Sequence, residues 1–218
     1  MKKIMFNDKY GLTAAVLAGT KTQTRRIIPQ SIVNELYYAG FYGDFTDNLK
    51  QILIKKKSRY NLCEKVAVAQ NYNEVYSYYR QHNDNVCAVM IGRFGQFHKG
   101  WANKMFVEAM FMPYKIEITG IRVQRLQDIS EQDCLAEGIA KEQVRLEYDE
   151  PYDTILYDFP NSKLIKKSTN SLVGYYLTAK EAYAALIDQI SGKGTWMRNP
   201  WVFAYTFSLS NSDSNKEV

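Results

Sequence analysis

Residues 19–26 read Gly-Thr-Lys-Thr-Gln-Thr-Arg-Arg, which sets an amine, three hydroxyls and two guanidinium groups in one short stretch. A threonine hydroxyl becomes a useful nucleophile only when a neighbouring base removes its proton. Lysine can act as that base if its pKa falls well below about 10.4. For Lys21, burial and the positive charges of Arg25 and Arg26 both push in that direction, whereas a close carboxylate would push back. On a regular strand, positions 21 and 24 face opposite sides. Lys21 and Thr24 therefore converge only if the chain turns between them, and a helix end at Gly19 supplies such a turn. Arg26 carries a permanent fork of donors that suits a phosphate or a carbonyl oxygen, or equally a salt bridge on a rim.

Other candidates lie far along the chain. Trp101 and Trp196 sit in glycine-flanked segments, where an indole can form a stacking wall or plug the end of a barrel. Trp201, beside Pro200 and opening a strand, reads as a plug. Asn199 could read a base edge or cap the turn at Pro200. Seventeen tyrosines, clustered at Tyr76, Tyr78 and Tyr79 and again at Tyr175 and Tyr176, could stack nucleobases or simply fill strands and half-buried surfaces. Cys63, Cys87 and Cys134 are odd in number and widely spaced, which argues against a disulfide framework or a thiolate zinc site and fits a reducing cytoplasm. With only His82 and His98 as histidines, a metal centre is not expected, and no cofactor is called for. A net charge of +5 suits an anionic partner without requiring one. The N-terminal run is too soon charged for a signal peptide, and no apolar stretch reaches membrane-spanning length.

The elements that must position these residues follow from pattern. A short strand is expected at 2–6. Asn7 or Asp8 then caps a helix to about Ala18, closed by Gly19. Residues 30–60 lack clear periodicity and end in Lys55, Lys56, Lys57 and Arg59, which marks an insertion with a basic, solvated rim. Val66 to Ala69 is a buried strand, residues 73–81 a short helix, and Phe106 to Met110 a strand. The alternation from Lys115 through Val123 is a further strand. Ser130 to Asp133 opens a short helix that stops at Gly138, with Glu137 at its end. Residues 140–176 form a second, polar insertion. A full capping box at Thr178 to Glu181 opens a helix with Ala182, Ala185, Leu186 and Ile190 on one face. The last strand runs from Val202 to Leu209, and a flexible tail occupies 210–218. With no βαβ rhythm, the pattern is α+β: a small mixed β-barrel with short flanking helices, built as one domain over 1–209 with two large insertions.

Gly19, Lys21, Thr24 and Arg26 match a Gly-x-Lys-x-x-Glu/Thr-x-Arg signature after a short helix, and in this the chain resembles the ASCH-domain family of PUA-like barrels. The agreement extends to Val66–Ala69, to Leu126-Gln127-Asp128-Ile129 leading into Glu137-Gly138-Ile139, and to Gly194-Thr195-Trp196 with Asn199-Pro200-Trp201. It is closest in kind to the longer bacterial and phage members. The resemblance implies a cytoplasmic protein that binds RNA, or a modified nucleoside, in a cleft beside Gly19–Arg26. Thr24 stands where the commonest signature has Glu. That variant is similar to a branch of amidohydrolases acting on N4-acetylcytidine, whose catalytic Lys, Thr and distant Glu would correspond to Lys21, Thr24 and Glu137. Arg26, Trp101, Trp196 and Asn199 would then contact substrate. Proton transfer to the leaving nitrogen would suit Glu137 if it stands closer to the substrate than to the Lys21 amine. Ribonuclease activity, proposed for some relatives, finds neither paired carboxylates nor a histidine pair to support it.

Overall fold

A computed structural model describes residues 1–41, 43–82, 85–95, 99–146, 152–159 and 175–210. Its centre is a five-stranded mixed sheet: β1 (Lys3–Ile4), β2 (Gln23–Ile27), β3 (Lys65–Val68), β4 (Lys115–Arg125) and β7 (Trp201–Ser210), in the order β1-β3-β4-β7-β2. Only β1 and β3 run parallel. A two-stranded antiparallel hairpin, β5 (Ala140–Leu146) with β6 (Tyr152–Asp158), lies apart from it. The α+β class expected from the pattern is present, but the main sheet is not closed. Its edges are β1 and β2, and the Arg26 guanidinium of β2 reaches the carbonyl of Met5, just beyond β1, donating to it at 2.6 Å.

The helices follow their caps. Asn7 does cap, but it opens a 3-10 turn over Asp8–Tyr10. Gly11, at φ 65°, then restarts the chain as α1 (Leu12–Leu17). The single helix expected to Ala18 is thus split by a left-handed glycine, a conformation that breaks α-helical hydrogen bonding. The insertion at 30–60 is not aperiodic coil. It forms α2 (Gln30–Tyr38) and α3 (Asp47–Lys57), the latter capped by Thr46 and anchored by Leu49 and Leu53 on one buried stripe. Its basic end is solvated as expected, although Lys57 pairs with Glu35. Next come α4 (Tyr72–Gln81) and α5 (Val86–Phe94). Beyond β4 lie α6 (Glu131–Ala136), α7 (Ala179–Ser191) and α8 (Thr195–Arg198). The Thr178 capping box forms in full, whereas Ser130 caps α6 alone, because the Asp133 carboxylate is turned elsewhere.

The strand expected at Phe106 to Met110 is absent, and a 3-10 turn follows at Ala109–Phe111. Side chains occupy the backbone groups that a ladder would use. Lys3 donates to the carbonyls of Met105 and Val107, and the Glu108 N–H donates to the Tyr72 hydroxyl. Of the second insertion, residues 147–151 and 160–174 lie outside the described residues, as do His98 and the tail from 211. The remainder of that insertion is the β5–β6 hairpin, with Tyr157 bridged to Tyr176.

Two cores flank β3 because its side chains alternate. Val66 and Val68 face the larger core, with Ile116, Ile118, Leu186, Phe203 and Phe207. Ala67 and Ala69 face a smaller one built from Tyr72, Val75, Met90, Trp101 and Phe111.

Candidate functional site

The stretch from Gly19 to Arg26 runs out of α1 into β2 by way of Gly19, at φ 73°. The N–H groups of Thr20 and Lys21 both donate to the carbonyl of Ala15, and Thr22 donates to Ala136 at the end of α6. Lys21 therefore precedes the strand rather than belonging to it. This supplies the turn that lets it share a pocket with Thr24 on β2. That pocket has a volume of about 450 Å³ and is walled by Phe6, Leu12, Leu186, Ile187 and Ile190, with Lys21, Thr24, Arg25, Arg26, Glu137 and Tyr183 among its polar lining.

Burial makes the polar groups unusual. Lys21 is 2% exposed, Glu137 4%, Thr24 5% and Tyr183 2%. The Lys21 ammonium donates to the Glu137 carboxylate and to the Glu137 carbonyl, both at 2.6 Å. Arg25 reaches the other carboxylate oxygen at 3.0 Å and also holds Asp133 at 2.7 Å. Asp133 in turn takes bonds from Gln23 and Arg122. Register explains this meeting of charges. Arg25 on β2 and Arg122 on β4 both lie opposite Ala204 on β7. All three share one sheet face, and the methyl between them leaves room for Asp133 to bridge the two guanidinium groups.

Burial is the largest influence on the Lys21 amine and lowers its pKa; Glu137 pulls it back up, while Arg26 and Arg25 push it down again, and the balance is downward. The Tyr183 hydroxyl is pushed well above its ordinary value, chiefly by burial and then by Glu137. It stays a neutral donor. Neither this hydroxyl nor the Nε of Arg25 has a hydrogen-bond partner among the described residues. A buried hydroxyl left unsatisfied costs about 1–3 kcal/mol, and a ligand offering an acceptor would recover it.

Lys21, Thr24, Arg26 and Glu137, expected at the site, all line this one pocket. Glu137 and the Lys21 amine form a direct buried ion pair, so a close carboxylate does pull the amine's pKa back up. The pair also removes a puzzle. Glu137, the C-cap of α6, sits at the negative end of a helix, and Lys21 and Arg25 neutralise it there. The aromatic candidates lie elsewhere. Trp101 is fully buried in the smaller core against Tyr72 and Tyr76. Trp196 lies behind the pocket, edge-on to Tyr183. Asn199 sits in a left-handed turn, and its side-chain oxygen accepts from the Gln127 N–H. Trp201 stacks on Phe45 within the larger core.

Arg25 and Tyr183 line the pocket but were not among the sequence candidates for the site. Arg25 entered only as a charge near Lys21, and Tyr183 lies four residues beyond Ala179 on a stripe of α7 adjoining the one read from Ala182 and Leu186. Among the described residues no cluster of histidine, cysteine or carboxylate side chains could hold a metal ion. Nor is any helix there long and apolar enough to cross a membrane.

No protein-family model, curated protein or solved structure matches this chain.

Proposed function

We propose that the protein binds a cytidine-type nucleoside unit, free, modified or within RNA, in the pocket of Lys21, Thr24, Glu137 and Tyr183. We also propose that its open sheet is an ASCH-type relative of the PUA-like barrel. One observation carries the reading: a pocket of about 450 Å³ with apolar walls holds a buried, preorganised set of donors and acceptors, including an unsatisfied tyrosine hydroxyl. Volume and lining of this kind suit a ligand the size of a nucleoside. The ligand class itself comes from the resemblance of the Gly19–Arg26 signature. Calorimetric titration with cytidine, N4-acetylcytidine and a short structured RNA over a salt series tests it. Measurable binding that is lost in Lys21→Met supports the reading; no binding of any of the three at low salt removes it.

A second reading, hydrolysis of the N4-acyl group, is favoured by the convergence of Lys21, Thr24 and Glu137 on one pocket. The Thr24 hydroxyl has no hydrogen-bond partner among the described residues, so it is free to face a ligand. In this scheme the Lys21 ammonium first passes a proton to the Glu137 carboxylate it touches, and the neutral amine then takes the Thr24 proton as the oxygen attacks the acyl carbon. The amide C–N bond breaks, the leaving nitrogen receives the proton held by Glu137, and water then hydrolyses the acyl-threonine ester. Purified protein incubated with N4-acetylcytidine should release cytidine and acetate, and Lys21→Ala and Thr24→Ala should not. Absence of turnover in the wild type leaves binding as the function.

A further inference from the structure

The Arg26–Met5 bridge separates the nucleoside pocket from a second cavity of about 310 Å³ on the far side of the gap between the two edge strands. Met5, Arg26 and Ile27 line both spaces, so the two are neighbours across these three residues. The second cavity has a different chemistry. Four of its eleven lining residues are cationic (Lys3, Arg26, Lys57 and Arg59) and none is acidic. Tyr60, Phe203 and Tyr205 form its aromatic floor, with the Arg59 guanidinium lying 5.7 Å over the Tyr60 ring.

The cations are unequally committed. The Lys57 ammonium pairs with Glu35 at 2.8 Å, and Lys3 is held by two backbone carbonyls. Arg26 and Arg59 have no carboxylate partner among the described residues, although guanidinium groups near other cations gain most from one. Mutual repulsion is evident at Lys3, whose ammonium is pushed down by burial and then by Arg59. Such a set of donors without an anion is what a phosphate ester needs, and a guanidinium fork binds phosphate with two bonds.

We infer that the second cavity is a phosphate subsite, in which Arg59 and Arg26 hold the phosphate of a nucleotide whose nucleoside moiety occupies the first pocket. Arg26 then serves both: it marks the junction of sugar and phosphate, and α3, the helix of the 30–60 insertion, delivers Lys57 and Arg59 to the phosphate side. The inference rests on the proposed nucleoside pocket for its geometry and on this cation set for its chemistry.

Titration at low salt with cytidine, cytidine 5′-monophosphate and inorganic phosphate, on wild type and Arg59→Gln, tests it. Charge-assisted bonds to one phosphate should give the monophosphate an advantage of about tenfold or more over cytidine. Arg59 is exposed, so Arg59→Gln should fold normally, bind cytidine as the wild type does and lose most of that advantage. Equal affinity for cytidine and its monophosphate, with no binding of inorganic phosphate, overturns the subsite and leaves the nucleoside pocket standing. Arg59-dependent binding of phosphate with no binding of cytidine upholds the anion site and sinks the nucleoside reading. No binding of any of the three overturns both. An Arg59-dependent gain for a cytidine-rich pentanucleotide as well as the monophosphate would assign the phosphate to RNA; a gain for the monophosphate alone would assign it to a free nucleotide.

Discussion

The two sides of β3 back onto interiors of opposite character. On one side Ala67 and Ala69 meet a dense aromatic cluster in which Tyr72 stacks on Phe94 while Trp101 and Phe111 meet them edge-on. On the other, Val66 and Val68 belong to a core whose margin opens into a pocket with a buried amine, guanidinium, carboxylate and hydroxyl. Both are rich in aromatics, so aromatic content does not distinguish a binding wall from packing here. What differs is the burial of charge, which is costly unless paired and so is retained where it serves a purpose.

The comparison can be broken first at its strongest points. Trp101→Ala should lower stability by about 3–5 kcal/mol in denaturant unfolding, because the cavity left in the smaller core has no easy way to collapse. The folded fraction should still bind nucleoside with wild-type affinity. A loss of affinity would mean the two cores are not separate in function. Glu137→Ala strands Lys21 and Arg25 as buried unpaired charges and should cost about 3–5 kcal/mol as well, with binding abolished. The double variant Lys21→Met with Glu137→Leu should recover much of that stability and none of the binding. Recovery of both would show the ion pair to be structural only.

Next in size is Asp133→Asn, which weakens charge-assisted bonds to Arg25 and Arg122 and should cost about 1.5–3 kcal/mol at neutral pH. Burial of Asp133 would raise its pKa, but the Gln23 amide, then Arg25 and Arg122, outweigh burial and hold the carboxyl below its ordinary 3.8. A carboxyl with a depressed folded pKa stabilises fully above the unfolded value and loses that contribution as pH falls through the folded one. Wild type should therefore lose stability more steeply than Asp133→Asn below about pH 4. Parallel acid limbs would show that the bridge contributes nothing. The last variant separates stability from binding outright. Tyr183→Phe removes an unsatisfied hydroxyl and should stabilise the unliganded protein by about 1 kcal/mol or more, while nucleoside affinity falls about tenfold. A stability loss without an affinity loss would reassign Tyr183 to the core.

Much of this arrangement is legible in local pattern. A helix closing at Gly19, a turn before β2 and a helix ending at Glu137 together place Lys21, Thr24 and Glu137, and all three line one pocket. Side chains that depend on tertiary packing were less so. Trp101 lies among residues that suit an exposed loop, and only the docking of α4 and α5 buries it. The strand expected at Phe106–Met110 has the right residues, but Lys3 and Tyr72 reach its backbone first. The helices α2 and α3 escaped notice because their buried stripes are narrow; α2 buries no residue fully. Tyr183 hid for the opposite reason, lying on a stripe next to the obvious apolar one.

Ala204 gives the assembly a key. Because side chains alternate along a strand, sliding β2 by one residue against β7 so that Thr24 came opposite Ala204 would turn Arg25 to the opposite face and carry it away from Asp133 and Glu137. Glu137 would then lose its guanidinium and Asp133 would keep only that of Arg122, so this slipped pairing would be the less stable one. The same ionic lattice that shapes the pocket thus selects against that misalignment as the chain folds.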